Sequence, residues 1–300
     1  MNWKNVLVIG AVTLLPVSMM AQANILNAKK PQEIGLKTEA QKALDNDAPL
    51  EYGYVDDRDI LWSKTTWETI DLDERVNFPL YYPIDTIDIG ADRRSLYDVF
   101  IKNIKNGKLA DVYVDSYFTE KRVFSDLEAT LKKRDTTDYG YEQLNAGEML
   151  SDEYINEREL TAADIEEYRI KGIWYFDKRQ GELKYRLLGI APVAPDVNFI
   201  DDESMDLQDA KVELFWVWYP GARQILHEAK VFNQRNSAQP ISFDALLNAR
   251  RFNGVIYRED NVHGDRKVND YISDNALFQL LEAKRIKEVI RDREQDMWSY

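Results

Sequence analysis

The sequence predicts an α+β fold: a small, mainly antiparallel sheet packed with several helices, an extended N-terminal arm and a long C-terminal helix. Three observations lead there. Ile173-Trp174-Tyr175-Phe176 and residues 183–190 are β-prone runs joined by Lys178-Arg179-Gln180-Gly181, which is a hairpin pattern. Residues 212–219, VELFWVWY, are continuously apolar, as in a strand buried on both faces. Apolar residues also recur at helical spacing near 96–104, 243–252 and 277–290.

From the start, residues 1–23 read as a secretory signal peptide. Lys4 precedes the apolar run 6–20, and Ala21-Gln22-Ala23 supplies small residues for cleavage after Ala21 or Ala23. At about 15 residues the run falls short of the roughly 20 that a bilayer requires. No cysteine follows it, so the sequence carries no lipid attachment signal. Residues 24–90 read as an arm. Its first half is polar. Its second half, 51–88, is an aromatic strap containing Tyr52, Tyr54, Trp62, Trp67, Phe78, Tyr81 and Tyr82, with Pro79 and Pro83 disfavouring helix. Such aromatics either bury in their own domain or anchor an interface, where Trp and Tyr are enriched.

Residues 91–300 read as the α+β core. Asp92 is placed to cap a helix carrying Leu96, Val99, Phe100 and Ile104, and Asn106-Gly107 stops it. Residues 112–114 are strand-like. Ser125 and Glu128 form a capping-box pattern for a helix to about Lys133. Residues 135–160 read as polar loop with some helical turn, and a helix after Thr161 carries Ile165 and Tyr168. Pro192 and Pro195 are expected to end the hairpin, and Pro220-Gly221 the 212–219 strand. Ser242 caps a helix bearing Phe243, Leu246, Leu247 and Phe252, and 255–257 form a strand. The final helix starts near Asp274, with Leu277, Leu280, Leu281, Ile286, Val289 and Ile290 as its apolar side. Residues 95–113 and 242–257 share a helix, Asn-Gly, strand order, a weak internal echo.

The chemistry is narrow. With 53 Asp+Glu against 39 Lys+Arg, the net charge of −14 disfavours nucleic acid and anionic lipid as partners. The absence of cysteine excludes disulfides, thiolate nucleophiles and thiolate metal sites. There is no G-x-S-x-G, no Gly-rich phosphate loop and no H-E-x-x-H. His227 and His263 are the only histidines; the first reads as structural and the second as a solvated turn residue. Asp201-Asp202-Glu203 lacks the alternating ligands of a calcium loop. No catalytic residue, cofactor or metal is expected.

Several segments in order carry a family likeness: Asp57-Arg58-Asp59-Ile60-Leu61-Trp62-Ser63-Lys64, Asn77-Phe78-Pro79-Leu80-Tyr81-Tyr82-Pro83, Ser95-Leu96-Tyr97-Asp98-Val99, GIWYFDKRQGELKYRLLGIAPV, FWVWYPGAR and VFNQRNSAQPISFDALLNARRF. Together, over nearly the whole mature chain, they resemble the gliding-motility GldN and PorN proteins of Bacteroidetes. The resemblance implies a periplasmic ring subunit of the type IX secretion system. Its implied partners are an outer-membrane lipoprotein of GldK or PorK type, the periplasmic part of a GldM- or PorM-type motor protein, and neighbouring copies in the ring. It implies no catalytic residues. Trp62, Trp67, Tyr81 and Tyr82 are the expected contact anchors. The alternative is a periplasmic hydrolase built on buried carboxylates, or a carbohydrate-binding protein using exposed Trp.

Overall fold

The computed structural model describes residues 47–298, apart from 86, 88–92, 148, 150–151, 199–210, 234–235, 237–239 and 274, and in addition Lys30 and Ala43. The signal segment, Asp92 and the acidic loop at Asp201-Asp202-Glu203 lie outside the described residues. The chain divides into two units, Met1–Ala48 and Pro49–Tyr300. The division expected near residue 90 therefore falls earlier, because strand β1 (Ile60–Asp71) is an integral part of the second unit's sheet.

In chain order, β1 is followed by a single turn α1 (Phe78–Tyr81), α2 (Leu96–Lys105), β2 (Val112–Tyr113), α3 (Phe124–Leu131), β3 (Lys132–Thr136), α4 (Asp138–Asn145) and β4 (Ile155–Glu159). Then come β5 (Glu167–Asp177), β6 (Glu182–Pro195), β7 (Lys211–Glu213), β8 (Trp216–Trp218), α5 (Tyr219–Glu228), β9 (Lys230–Val231), β10 (Ile241–Ser242) and α6 (Phe243–Asn248). The chain closes with β11 (Val255–Glu259), α7 (Val268–Tyr271) and α8 (Ala276–Trp298). The main sheet is antiparallel in the order β11-β1-β5-β6-β8-β2, with β7 also paired to β6. Two small ladders, β3-β4 and β9-β10, stand beside it. The α+β expectation, its antiparallel sheet and its long terminal helix are all present.

Side chains alternate across a strand. Trp62, Lys64, Thr66, Glu68 and Ile70 therefore share one face of β1, opposite Phe176, Trp174, Gly172, Ile170 and Tyr168 of β5. The largest core cluster lies at one end of this face. There Ile70, Tyr168 and Ile170 join Leu96, Phe100, Leu226, Phe243 and Leu247 from α2, α5 and α6. The helix α8 covers the other end, where Ile286 and Ile290 join Ile256 and the half-buried Trp62, Trp174 and Leu183. The opposite face holds a third cluster of Trp67, Ala191 and Trp216.

Local chemistry explains the elements. Ser95 Oγ accepts from the Asp98 amide at 3.2 Å, and Ser242 Oγ from the Ala245 amide at 3.1 Å, so each serine satisfies an otherwise orphaned helix donor. Gly107 and Gly181 take φ of +68° and +66°, the left-handed conformation that ends α2 and turns the β5-β6 hairpin. The two echoing helix–strand units both form, but β2 and β11 occupy opposite edges of the sheet.

Several expectations change. Val123, not Ser125, precedes α3, and Ser125 Oγ instead donates to Asp126 Oδ1 at 3.3 Å. The region 135–160 contains the β3-β4 ladder and α4. The helix expected after Thr161 is one short turn, 162–164; Tyr168 and Ile170 alternate inward along β5. Pro192 lies inside β6, where its carbonyl accepts from the Leu214 amide at 3.0 Å. Pro220 opens α5 rather than ending a strand, since proline suits a helix's first turn. Along α8 the buried side is Ala283, Ile286 and Ile290, whereas Leu277, Leu280, Leu281 and Val289 are exposed.

Candidate interaction surface

The four expected anchors occupy three environments. Trp67 is 1% exposed and belongs to the core. Its ring lies 4.6 Å from the Arg258 guanidinium carbon, 4.9 Å from Lys171 Nζ and 6.1 Å from the Tyr117 ring. Trp62 is half-buried against α8's cluster. Tyr81 and Tyr82 sit at the end of α1 with ring centroids 4.8 Å apart, and Phe78 lies 5.3 Å from Tyr82. Tyr81 donates its hydroxyl hydrogen to the Ala163 carbonyl at 3.2 Å, whereas Tyr82 is 49% exposed. The structure thus brings Phe78, Tyr81 and Tyr82 into one surface aromatic cluster and leaves the tryptophans outside it.

Other exposed apolar surface was not singled out from the sequence. Leu277, Phe278, Leu280 and Leu281 are each more than half exposed on the first turns of α8. Tyr139, Tyr141 and Leu144 are exposed on α4. A signal for the α8 patch exists in the sequence. Neighbours such as Leu277/Phe278 and Leu280/Leu281 lie 100° apart around a helix and cannot all face one core.

The entry segment is pinned without strand pairing. The Tyr52 ring lies 4.1 Å from the Arg223 guanidinium carbon and 4.7 Å from that of Arg186. Its hydroxyl donates to Asn248 Oδ1 at 2.7 Å. Arg186 donates to the Gly53 carbonyl at 3.0 Å and Arg179 to the Tyr54 carbonyl at 2.7 Å.

A carboxylate-based reaction needs an acid and a base free to exchange protons. The buried carboxylates among the described residues are Glu68, Asp177 and Asp244. Glu68 accepts from Arg250 Nη2 on both oxygens, at 2.9 and 2.7 Å. Asp244 is held by Arg223 Nε at 2.9 Å and Nη2 at 3.1 Å. Asp177 accepts from the Arg179 amide at 3.0 Å. Each is neutralised by its own arginine partner, and they do not form a facing pair. Burial raises the Asp177 pKa, but the Arg179 amide and guanidinium outweigh it and hold the group below the usual carboxylate value. A depressed folded-state pKa contributes stability above about pH 4, lost as pH falls through the folded value. Asp177→Asn is therefore expected to flatten the acid limb of stability against pH, read as urea midpoints between neutral and acid pH. An unchanged slope would contradict that role.

His227 is half-buried in the last turn of α5, with its carbonyl accepting from Lys230 Nζ at 3.0 Å. His263 is exposed in a turn, its amide bonded to Asn261 Oδ1 at 2.9 Å. No three metal-ligating side chains converge among the described residues. A cavity of about 190 Å³ lies between the ends of α2 and α5, lined by Arg94, Lys102, Lys108, Lys230 and Glu228. Lys102 in the last turn of α2 and Lys230 just past α5 complement the helix C-terminal dipoles. No described helix is long and apolar enough to cross a membrane.

Comparison with curated proteins finds no match. Residues 55–299 match the family described as "Gliding motility associated protein GldN", a match that runs from just before β1 through α8. With most of the chain covered, the protein belongs to the gliding motility associated GldN family.

Proposed function

We propose that this chain is a non-catalytic structural subunit of a periplasmic ring in the type IX secretion system, required for protein secretion and gliding. It pairs with an outer-membrane ring lipoprotein of GldK or PorK type, contacts the periplasmic part of a GldM- or PorM-type motor protein, and meets further copies of itself. The observation that carries this reading is the family match over 55–299, which spans almost all of the unit beginning at Pro49. The pairing of buried carboxylates with arginines supports it: Asp244 with Arg223 and Glu68 with Arg250 are each held as ion pairs rather than as a free acid–base pair among the described residues. The export signal read in residues 1–23 supports a periplasmic location for the mature chain, with the lipoprotein holding it at the outer membrane.

Co-expression of residues 24–300 with the lipoprotein's soluble region tests the reading, with sizing and negative-stain imaging as readouts. Co-elution with arcs or rings is expected; two folded proteins eluting separately as monomers would remove its main support. Of the four anchors, Tyr82 and Tyr81 present surface to a partner, Trp62 a part of its ring. Tyr82→Ala is expected to weaken the complex by about 2 kcal/mol, some thirtyfold, as for a hot-spot aromatic. Its melting temperature should stay near that of the unaltered chain. Undiminished co-elution would move the contact away from the α1 cluster.

A further inference from the structure

Two helices present apolar side chains to solvent, and their surroundings differ in charge. On α8, Leu277, Phe278, Leu280 and Leu281 are each more than half exposed. Leu277, Leu281 and Lys284 fall at i, i+4 and i+7, so the apolar stripe runs into a cation. On α4, Tyr141 and Leu144 lie three apart on one side and are 56% and 48% exposed, with Tyr139 flanking them. Contiguous exposed apolar side chains mark interaction sites, because burying them is favourable. The two patches belong to different parts of the fold. Leu131 and Leu160, at the base of the β3-β4 ladder that carries α4, join the largest core cluster, whereas α8 packs on the second.

Residues 138–154 contain five acidic residues and no Lys or Arg. Glu142 is exposed on α4, and its carboxylate has no cationic partner among the described residues. Residues 266–285 carry four bases against three acids. Glu282 is held internally by Arg285 Nε at 2.8 Å and the Tyr271 hydroxyl at 3.2 Å, and Asp270 accepts from the Lys267 amide at 2.9 Å. Lys267 and Lys284 have no acidic partner among the described residues. Lys267 also lines a cavity of about 360 Å³ beside Leu280, with Val255, Ile256 and Val268 as apolar wall. Two copies of a chain with net charge −14 repel, so contact between them favours a surface that is not acidic. Pairing the α4 patch with itself sets five acids against five. Pairing it with the α8 patch sets them against Lys267 and Lys284 and buries apolar surface on both sides.

We propose that the two patches are the halves of one head-to-tail contact between copies of this chain. The α4 patch of one copy seats on the α8 patch of the next. Tyr141 enters the cavity beside Leu280, and Glu142 meets the side that carries Lys267 and Lys284. An aromatic anchor filling a pocket supplies most of the affinity, while the charges set orientation and disfavour self-pairing. A pair joined in this way still offers one free patch of each kind, so the contact propagates into a ring or filament. The proposal rests on the reading that copies of the chain meet in a ring, and it names the surfaces by which they do.

Sedimentation velocity of the full mature chain, alone and with the lipoprotein's soluble region, tests it on the unaltered protein, Tyr141→Ala and Leu281→Asp. The unaltered chain should form oligomers that grow with concentration. Each variant alone should self-associate at least about tenfold more weakly, with an unchanged melting temperature because both side chains are exposed. An equimolar mixture of the two variants should form dimers and nothing larger, since each still contributes one intact patch. Reversing one charge, as Glu142→Lys or Lys284→Glu, should weaken association roughly fivefold, and both reversals in one chain should restore it. Either variant assembling as strongly as the unaltered chain, or a mixture that stays monomeric, would overturn these surfaces and leave the ring reading standing. So would variants that still assemble but lose the lipoprotein, which would give the patch to that partner. An unaltered chain that stays monomeric at every concentration in both settings would overturn the proposal and the ring reading together.

Discussion

Trp67→Ala is expected to destabilise the chain by about 3–5 kcal/mol, the range for emptying a buried aromatic site. Trp67 lies on the face of β1 away from α8, with Ala191 and Trp216 as buried neighbours. Removing its indole also strips Lys171 and Arg258 of the ring they stack on. Burial depresses the Lys171 pKa, and the Arg258 charge adds to that, so the ring's negative face is part of what keeps this cation tolerable. The cavity cannot collapse easily, because β1 is paired on both sides, to β5 and β11. Urea unfolding should show the loss as a lower midpoint. Any loss of partner binding in this variant would follow from unfolding. Tyr82→Ala, by contrast, should lose binding while remaining folded. A Trp67→Ala protein of unaltered stability would mean that the indole is not core.

This contrast shows which kind of information the chain carries locally. Trp67 and Tyr82 are both aromatic, both within one strap-like stretch, and nothing beside them in sequence tells them apart. What separates them is pairing. β1 accepts two neighbours distant in sequence, Lys171 more than a hundred residues and Arg258 about 190 residues beyond Trp67, which they face. Features set by adjacent residues were legible: the Ser242 cap, the Gly107 stop, and the turn at Gly181 that joins β5 to β6. Features set by distant partners were not. Tyr168 looked helical beside Ile165 until β1 and β6 claimed it as strand. Pro192 looked like a strand end, yet β6 runs through it because its carbonyl still meets Leu214. Arg250 ends α6 where glycine is usual, and its partners, Glu68 of β1, Trp174 of β5 and Tyr185 of β6, are all remote from it in sequence.

Asp244→Ala is expected to cost about 3–5 kcal/mol, because it leaves the Arg223 guanidinium buried without its counter-charge. Asp244 is a hub as well as a partner. Its Oδ1 accepts from the Tyr219 hydroxyl at 2.8 Å and from Asn248 Nδ2 at 2.9 Å, besides Arg223. Tyr52 completes the set by stacking on Arg223 and donating to Asn248. Loss of the carboxylate should therefore loosen residues 49–55, where the chain enters the sheet, as faster amide exchange and easier proteolysis. Neutralising both members tests whether charge is the cause. Arg223→Met combined with Asp244→Leu should recover at least about 2 kcal/mol relative to Asp244→Ala, since a buried pair can be replaced by apolar residues at little cost. The double variant should still lose Tyr52's seat, because the guanidinium is gone. Recovery of stability without recovery of protection at 49–55 would separate the two roles of this cluster: holding α5 to α6, and pinning residues 49–55. If the double variant is no more stable than Asp244→Ala, hydrogen-bond geometry rather than charge balance holds the cluster.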